Sequence, residues 1–410
     1  MTSDPTNRHA PTWMFGITYI PFGIVGGFAG TTMPYLTRHA GISVEKIGWF
    51  GLATMIPPIL QFLYAPIVDL GPRRRTWLVL VTFLGAACLA TALCMPLPQN
   101  QLAFLSLVVA GQAISGLIGS CNGGLLASTL PNELRGQAGG WMNAGNLGGG
   151  ALGTYVALRL TSLGVAPWQL GLTLALMMIV PSLAALFIIE PPRIKRSAAE
   201  LFGSMGRDVW SVARSRPGWT GILICLSPVG TAALLNYFSG LAEDYHASPG
   251  MVEFVNGWMN GLLTAGGSLI GGYICDRMNR RIAYLLSGAM TAAVGLAMML
   301  APVTPITYAV GVSVYMFVAG FCYAAFSAMV LEAVGKAGAA ASTQYTLFTS
   351  AGNAAIAYTG FIDTRFHHTY GPHGLLAVDA LLNICGVVAL GTLIYFLFGR
   401  NKTTPAVNAV

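Results

Sequence analysis

The chain has 410 residues, of which 55% are hydrophobic and only 9% charged, and its formal net charge is +7. Soluble globular proteins carry about 25% charged residues, so this composition excludes a water-soluble fold and indicates that lipid surrounds most of the molecule. The basic residues lie in short gaps between apolar segments rather than along one polar face, which excludes nucleic-acid binding as their purpose.

Apolar segments recur along the whole chain. A bilayer core about 30 Å thick needs roughly 20 apolar residues of helix, and no alternating strand pattern is present to build a barrel. The predicted fold class is therefore an all-α membrane protein with twelve transmembrane helices. The predicted spans are 13–37, 47–68, 77–97, 101–130, 138–163, 168–189, 219–241, 251–274, 282–303, 305–331, 342–363 and 374–398.

The loops predict the orientation in the membrane. Lys and Arg residues concentrate in the loops that share a side with the N-terminus, and the exceptions are Arg38, Lys46, Arg159 and Arg365. Because positive loops stay on the cytoplasmic side, we expect both termini to be cytoplasmic in a multi-pass protein of the inner or plasma membrane.

One long polar connection divides the chain. It predicts an N-terminal six-helix bundle at 1–189, a cytoplasmic linker at 190–217 and a C-terminal six-helix bundle at 218–410. Within the linker, an amphipathic stretch that begins near Leu201 is expected to lie on the membrane surface.

Two pairs of loops indicate an internal duplication. Residues 69–74 and 276–281 both carry an acid followed at +4 and +5 by two Arg, and residues 133–139 and 332–338 are a second matching pair. We expect these residues to form weak, exposed ion pairs, about 0–1 kcal/mol each, that hold one mouth of a transporter closed; simple stop-transfer charge is the alternative. The predicted gating residues are Asp69, Arg73, Arg74, Glu133, Arg135, Asp276, Arg280, Arg281 and Glu332.

The duplicated loops resemble the signature loops of the major facilitator superfamily. The run 131–136 resembles that superfamily's PE-x-x-RG loop, with Asn132 in place of the usual Glu. The resemblance implies two six-helix bundles around a central cavity, alternating access and a substrate site near mid-membrane.

Two shorter runs are similar to one branch of that superfamily. Residues 61–69 and 343–347 resemble the end of helix 2 and the start of helix 11 in the AmpG-like peptide and acetyl-coenzyme A transporters, which include muropeptide and siderophore permeases. The muropeptide permeases carry an acid in helix 4 that is absent here before Leu130-Pro131. The run 145–150 resembles the antiporter motif G-P-x-x-G-G, but Asn146 replaces the Pro, so a packing role is expected for its glycines.

Polar residues inside the predicted helices are the candidates for a substrate site, because unpartnered amides and charges are unfavourable in lipid. The candidates are Arg159, Asn122, Gln112, Asn146, Asn236, Tyr237, Asn256, Asn260, Gln344 and Asn353. Arg159 could bind an anionic group or extend to the interface. Asp379 is expected to be structural, and Asp363 is expected to pair with Arg365 at the interface. Tyr19 could stack on a ligand, although a core or interfacial role is favoured.

The leading hypothesis is a secondary active transporter, and not an enzyme, that imports a small organic solute, with proton symport as one option. The alternatives are a drug or metabolite exporter working by antiport, a non-transporting sensor and a membrane enzyme. The expected partners are the solute, membrane lipid and, if coupled, a proton; the expected state is a monomer. No cofactor or metal is expected, since His367, His368 and His373 match no standard metal-site spacing.

Overall fold

Twelve helical spans make up almost all of the computed structural model, which describes residues 9–191, 197, 200, 210, 214–334 and 341–396, and these residues include no strand. The spans are α1 (Trp13–His39), α2 (Val44–Tyr64, continued by a 3-10 turn at Ala65–Asp69), α3 (Arg74–Leu93), α4 (Gln101–Thr129), α5 (Arg135–Ser162), α6 (Pro167–Ser182, continued at Leu183–Phe187), α7 (Arg216–Leu226, Ala233–Asn236 and Phe238–Asp244), α8 (Pro249–Glu253, Phe254–Met259 and Asn260–Arg277), α9 (Arg280–Leu300), α10 (Pro305–Val334), and α11 and α12, which share Ala341–Ile394 and are separated by a break at Gly371. The amphipathic stretch predicted near Leu201 lies outside the described residues.

The twelve spans confirm the predicted fold class, but only eight of the described helices are long and apolar enough to cross a membrane by those criteria alone. The other four are α5, α7, α8 and α11. These helices pack against protein on several sides: α5 lies against α1, α8 and α10, and α11 lies against α2, α4 and α7. A helix that faces protein and a polar interior needs less apolar surface than one that faces lipid.

Helix α7 differs most from its prediction as one continuous span at 219–241. Its first segment ends at Leu226, and Gly230 and Ala232 then have φ angles of 62° and 52°. Pro228 cannot donate a backbone hydrogen bond, and Gly230 tolerates positive φ, so this sequence favours a break. The left-handed conformation of Ala232 costs about 1–2 kcal/mol, and neighbouring contacts stabilise it.

Two hydrogen bonds fix the unwound part of α7 against other helices. The Gly230 backbone N–H donates to Asn383 Oδ1 of α12 at 2.9 Å, and the Tyr284 hydroxyl of α9 donates to the Val229 carbonyl at 2.7 Å. Backbone groups that leave a helix inside a membrane must find such partners or water. The break in α7 is therefore stabilised by hydrogen bonds to α9 and α12.

The helices α1–α6 and α7–α12 form two sets that meet along α5–α8 and along α11 with α2 and α4. We call the end that carries the loops 69–74 and 276–281 the arginine-rich end, and the other the opposite end. Close approach of α5 and α8 depends on glycine, because a Cβ on Gly140 would lie 2.5 Å from the Ser268 carbonyl oxygen.

Buried apolar side chains form three clusters, and their membership shows where the two sets join. One cluster, here named the shared apolar cluster, lies towards the arginine-rich end and includes Phe15 and Leu126 from one set with Ile224 and Leu331 from the other. The other two clusters lie towards the opposite end, and each contains residues of only one set. The two halves thus share a core at the arginine-rich end and have separate cores at the opposite end.

Candidate functional site

A carboxylate at the arginine-rich end joins the two halves. Asp276 lies at the end of α8, and its two oxygens accept hydrogen bonds from the backbone N–H groups of Gly136, at 2.7 Å, and Gln137, at 2.6 Å. These N–H groups belong to the first turn of α5, where they lack intrahelical partners and the helix dipole is positive. Asp276 therefore caps a helix of the other half.

Two arginines extend this contact between the halves. Arg135 is buried and donates to the carbonyl of Leu331 in α10 at 3.0 Å and to that of Ala127 in its own half at 2.7 Å. Arg280 donates to the carbonyl of Asn132 in the loop between α4 and α5, and it lies 3.5 Å from Asp276. Arg135, Asp276 and Arg280 thus join the two halves at the arginine-rich end, and we call these three residues the predicted gate.

The matching loop of the first half forms a buried ion pair. Arg74 lies 2.7 Å from Asp69, with 2% and 1% of the two side chains exposed, and Glu190 accepts hydrogen bonds from the backbone N–H groups of Arg74 and Arg75. The expectation of weak, exposed pairs is wrong for Asp69 and Arg74, because the loop folds back against α3 and the end of α6.

The remaining predicted gating residues occupy the surface. Arg73 and Glu133 are exposed. Arg281 and Glu332 form a 3.6 Å ion pair within the second half, with 29% and 44% of the side chains exposed, so this pair does match the expected weak contact.

A cavity of about 270 Å³ lies between the halves, next to the gate. Its lining on α5 lies two to three turns from the arginine-rich end, roughly 10–18 Å along the helix. The first half contributes Tyr19, Phe22, Gln61, Gly119, Met142, Asn143, Asn146 and Leu147; the second contributes Cys225, Ser227, Val229, Gly230, Thr231, Tyr284, Tyr323, Phe326, Ser327, Tyr345, Thr349, Gly352, Asn353, Ala355 and Ile356. Both halves therefore bound one space, as a central transport site requires.

Two of the predicted substrate-binding residues, Asn146 and Asn353, line this cavity. The side-chain amide of Asn146 makes no hydrogen bond within the described residues. The side chain of Asn353 donates to the Pro58 carbonyl of α2 at 3.3 Å. The neighbouring Asn143 also lines the cavity and donates to Ser327 Oγ of α10 at 2.9 Å, so one amide links the halves beside the site.

Four predicted site residues form links within one half instead. Asn122 is fully buried, donates to the Phe15 carbonyl at 3.0 Å and accepts from Thr18 at 2.8 Å, which ties α4 to α1. Asn256 donates to the Tyr308 hydroxyl at 2.6 Å. Gln112 and Asn260 bond to residues of their own helices, Ser115 and Thr264.

Three further predicted residues, Arg159, Gln344 and Tyr237, lie outside the described cavity lining. Arg159 is exposed on α5, and Gln344 is half-buried outside the cavity. The Tyr237 ring packs against Gly360 of α11, where a Cβ would lie 2.7 Å from the Tyr237 hydroxyl. The side chain of Asn236 lies outside the described residues.

The run 145–150 has the packing role expected for its glycines. A Cβ on Gly145 would overlap the Gly16 carbonyl of α1, and one on Gly149 would lie 2.6 Å from the Ile20 carbonyl oxygen. This run holds α5 against α1 and thereby places Asn146 at the cavity wall.

Sequence reasoning missed most of the aromatic lining and the broken part of α7. The Tyr19 and Phe22 rings stack with centroids 4.6 Å apart and planes 6° apart. Thr231, on the unwound segment, has 6% of its surface exposed, and its hydroxyl has no hydrogen-bond partner among the described residues. Pro228 and Gly230 inside an apolar run are the signal that could have located this segment.

Two buried carboxyl groups lie in the second half, outside the cavity lining. Asp363 of α11 and Asp379 of α12 are both fully buried. Within the described residues, neither oxygen of Asp363 has a hydrogen-bond partner, and neither does Oδ1 of Asp379; the Tyr315 hydroxyl lies 3.5 Å from Asp379 Oδ2. The expected pairing of Asp363 with Arg365 is wrong, because Asp363 faces the helix bundle rather than the interface.

Comparisons with known proteins agree with this architecture. The model of the Major Facilitator Superfamily matches residues 15–359. The fold is similar to that of the human organic anion transporter MFSD10 (TETRAN), with a TM-score of 0.67 and 18% identity over 92% of this chain and 97% of that one. It is also similar to FucP, a superfamily transporter in the outward conformation, with a TM-score of 0.69 and 14% identity over 93% of this chain and 98% of that one.

No curated protein sequence matches the chain. At identities this low, the two solved structures establish the fold alone. The family model covers most of the chain and includes the predicted gate and all of the described cavity lining. The protein belongs to the major facilitator superfamily and is a membrane transporter, not an enzyme.

Proposed function

We propose that this chain is a permease that imports a small organic solute across the inner or plasma membrane by proton symport and alternating access. The observation that carries the proposal is the cavity between the halves, which is bounded at one end by the closed gate of Arg135, Asp276 and Arg280. In this proposal the halves are 1–189 and 218–410, the linker 190–217 and both termini are cytoplasmic, and the protein acts as a monomer. We keep the AmpG-like branch as its assignment within the superfamily, on residues 61–69 and 343–347.

The side on which the predicted gate is closed supports an outward-facing state, which an importer needs in order to load its solute. The gate lies at the arginine-rich end, which the positive-inside rule assigns to the cytoplasm. The halves have separate cores towards the opposite end. Such a state would receive solute from outside the cell.

Proton coupling is supported by Asp363 and Asp379. A buried carboxylate without a partner is costly, so the protonated form is favoured for such groups, and two nearby carboxyls cannot easily both be charged. The titratable groups that face the pair are Tyr237 of α7 with Tyr315 and Cys322 of α10. None of the three would supply a positive charge, so a bound proton is the available neutralising group.

Reconstitution tests the proposal directly. Purified protein in proteoliposomes should take up a solute that stabilises it in detergent, and an inward proton gradient should drive accumulation that a protonophore collapses. Accumulation that survives the protonophore would reject symport. Solute release driven by an inward proton gradient, in place of uptake, would identify an exporter, and binding without any flux would identify a sensor.

Asp379→Asn should separate coupling from movement of the solute. The amide cannot lose a proton, so proton-driven accumulation should be lost while solute exchange between preloaded vesicles and medium continues. Asp244→Asn is the control, because Asp244 is a half-buried acid of the same half that pairs with His367 at 3.0 Å. Unchanged accumulation in Asp379→Asn would remove this residue from the coupling mechanism.

A further inference from the structure

The cavity between the halves carries no charged side chain among its described lining residues. An ion buried without a counter-charge or dense hydrogen bonding is strongly disfavoured. A carboxylate, phosphate or ammonium group on the solute would therefore enter this space at a cost that nothing on the described walls offsets. Arg159, the cation expected to meet an anionic group, is exposed on α5 and lies outside the lining.

Aromatic rings make up much of the cavity wall in both halves. The stacked, nearly parallel rings of Tyr19 and Phe22 line the wall from α1. Tyr284 and Phe326 lie 6.3 Å apart between ring centroids in the second half. Flat aromatic faces bind the apolar faces of ring compounds, so these walls favour a solute that contains a ring.

Two residues whose polar side chains are unpartnered within the described part of the chain, Thr231 and Asn146, also line the cavity. The Thr231 hydroxyl is nine-tenths buried and has no partner within the described residues, and the Asn146 amide makes no hydrogen bond there either. Buried polar groups nearly always find a partner. The break in α7 fixes Thr231 in the cavity wall, so a solute that reaches its hydroxyl and the Asn146 amide would supply the partners that these groups lack among the described residues.

The volume limits the size of the solute. About 270 Å³ lies near the lower end of the range for small-molecule sites, about 300–1,000 Å³. This space suits a compound of one or two rings. It is small for the larger, charged substrates of muropeptide or coenzyme A type.

From these four features, and resting on the proposed function, we infer that the cavity binds an uncharged polar ring compound of sugar or nucleoside type. Thr231 and Asn146 are its hydrogen-bonding residues, and Tyr19 with Phe22 forms its stacking surface. Hydroxyl or amide groups of the solute satisfy the unpartnered groups, and the rings cover its apolar face.

The test measures thermal stabilisation of the full-length detergent-solubilised protein by matched pairs of compounds. The pairs are glucose with glucuronate, and uridine with uridine monophosphate. For at least one pair, the neutral member should bind at least tenfold more tightly than the anionic one. Tighter binding of the anion in the pairs that bind, or no binding of any neutral member, would overturn the inference.

Thr231→Val tests the site itself, because the two side chains have the same shape and only the hydroxyl is lost. The affinity for the neutral compound should fall about tenfold, in line with one hydrogen bond, while the unliganded protein keeps its thermal stability. Thr32→Val is the control, since Thr32 is also buried with an unpartnered hydroxyl among the described residues but lies outside the cavity lining. Equal affinities of the two variants for the neutral compound would remove Thr231 from the site.

Flux separates this inference from the proposed function. A neutral ring compound that binds but is never transported by proteoliposomes would contradict the transporter proposal and leave the inference standing. Transport of organic anions, with no binding of neutral compounds, would contradict the inference and leave the transporter proposal standing.

Discussion

Asp276→Ala should open the arginine-rich end of the molecule. The change removes two hydrogen bonds from backbone N–H groups to a carboxylate, at 2.7 and 2.6 Å, and both join one half to the other. Hydrogen bonds to a charged group contribute about 1.5–3 kcal/mol each, so the closed state should lose at least about 3 kcal/mol. That loss shifts the equilibrium between closed and open states by roughly a hundredfold.

Accessibility measures this shift. A cysteine is introduced at Gly139, where a Cβ would lie 3.2 Å from the Ser327 side chain of the other half. This cysteine should react faster with a membrane-impermeant thiol reagent in the Asp276→Ala variant than in the protein that keeps Asp276. The comparison uses a background in which the native cysteines are replaced. Glu332→Ala is the matched control, because it removes only a half-exposed ion pair within one half. Equal reaction rates for the two variants would show that Asp276 does not hold the gate.

Gly140→Ala should force α5 away from α8. The new Cβ would lie 2.5 Å from the Ser268 carbonyl oxygen and 3.1 Å from Gly272 Cα, and both are backbone atoms that cannot move aside alone. Overpacking of this kind costs about 1–3 kcal/mol. Because the clash lies between the halves, the variant should lose thermal stability in detergent and shift towards the open gate.

Gly148→Ala on the same helix provides the control for that experiment. Nothing lies within 4 Å of a Cβ at this position, and alanine favours a helix over glycine by about 0.5–1 kcal/mol. This variant should therefore unfold at the same temperature or slightly higher. If the Gly140→Ala variant unfolds at the same temperature as the Gly148→Ala variant, the two halves do not pack through this contact.

The sequence predicted which loops lie at the arginine-rich end better than it predicted how deeply their residues are buried. Spacing alone placed Asp276, Arg280 and Arg135 in matching loops, because the acid and arginine positions repeat. It could not show that the first turn of α5 points at Asp276, since that depends on how the halves pack. The Asp69–Arg74 pair, expected to be weak and exposed, is buried because its loop folds back against α3 and the end of α6.

The cavity was harder to predict than the helices. Hydropathy located the spans, but it does not tell which face of a helix meets the other half. Choosing residues because they are polar therefore selected Asn122 and Asn256, which link helices inside one half. It selected them as readily as Asn146, which lines the cavity. Aromatic residues such as Tyr284 and Tyr345 look like ordinary core residues until both halves are in place.

The shared apolar cluster at the arginine-rich end makes the equilibrium between the closed and open forms depend on temperature. Opening that end must separate apolar side chains such as Leu126 and Leu331 and bring water between them. The newly hydrated apolar surface raises the heat capacity of the open form. The hydrophobic stabilisation of the closed form weakens on cooling. The equilibrium between the two forms should therefore follow a curved van't Hoff plot, with cold favouring the form that is open at the arginine-rich end.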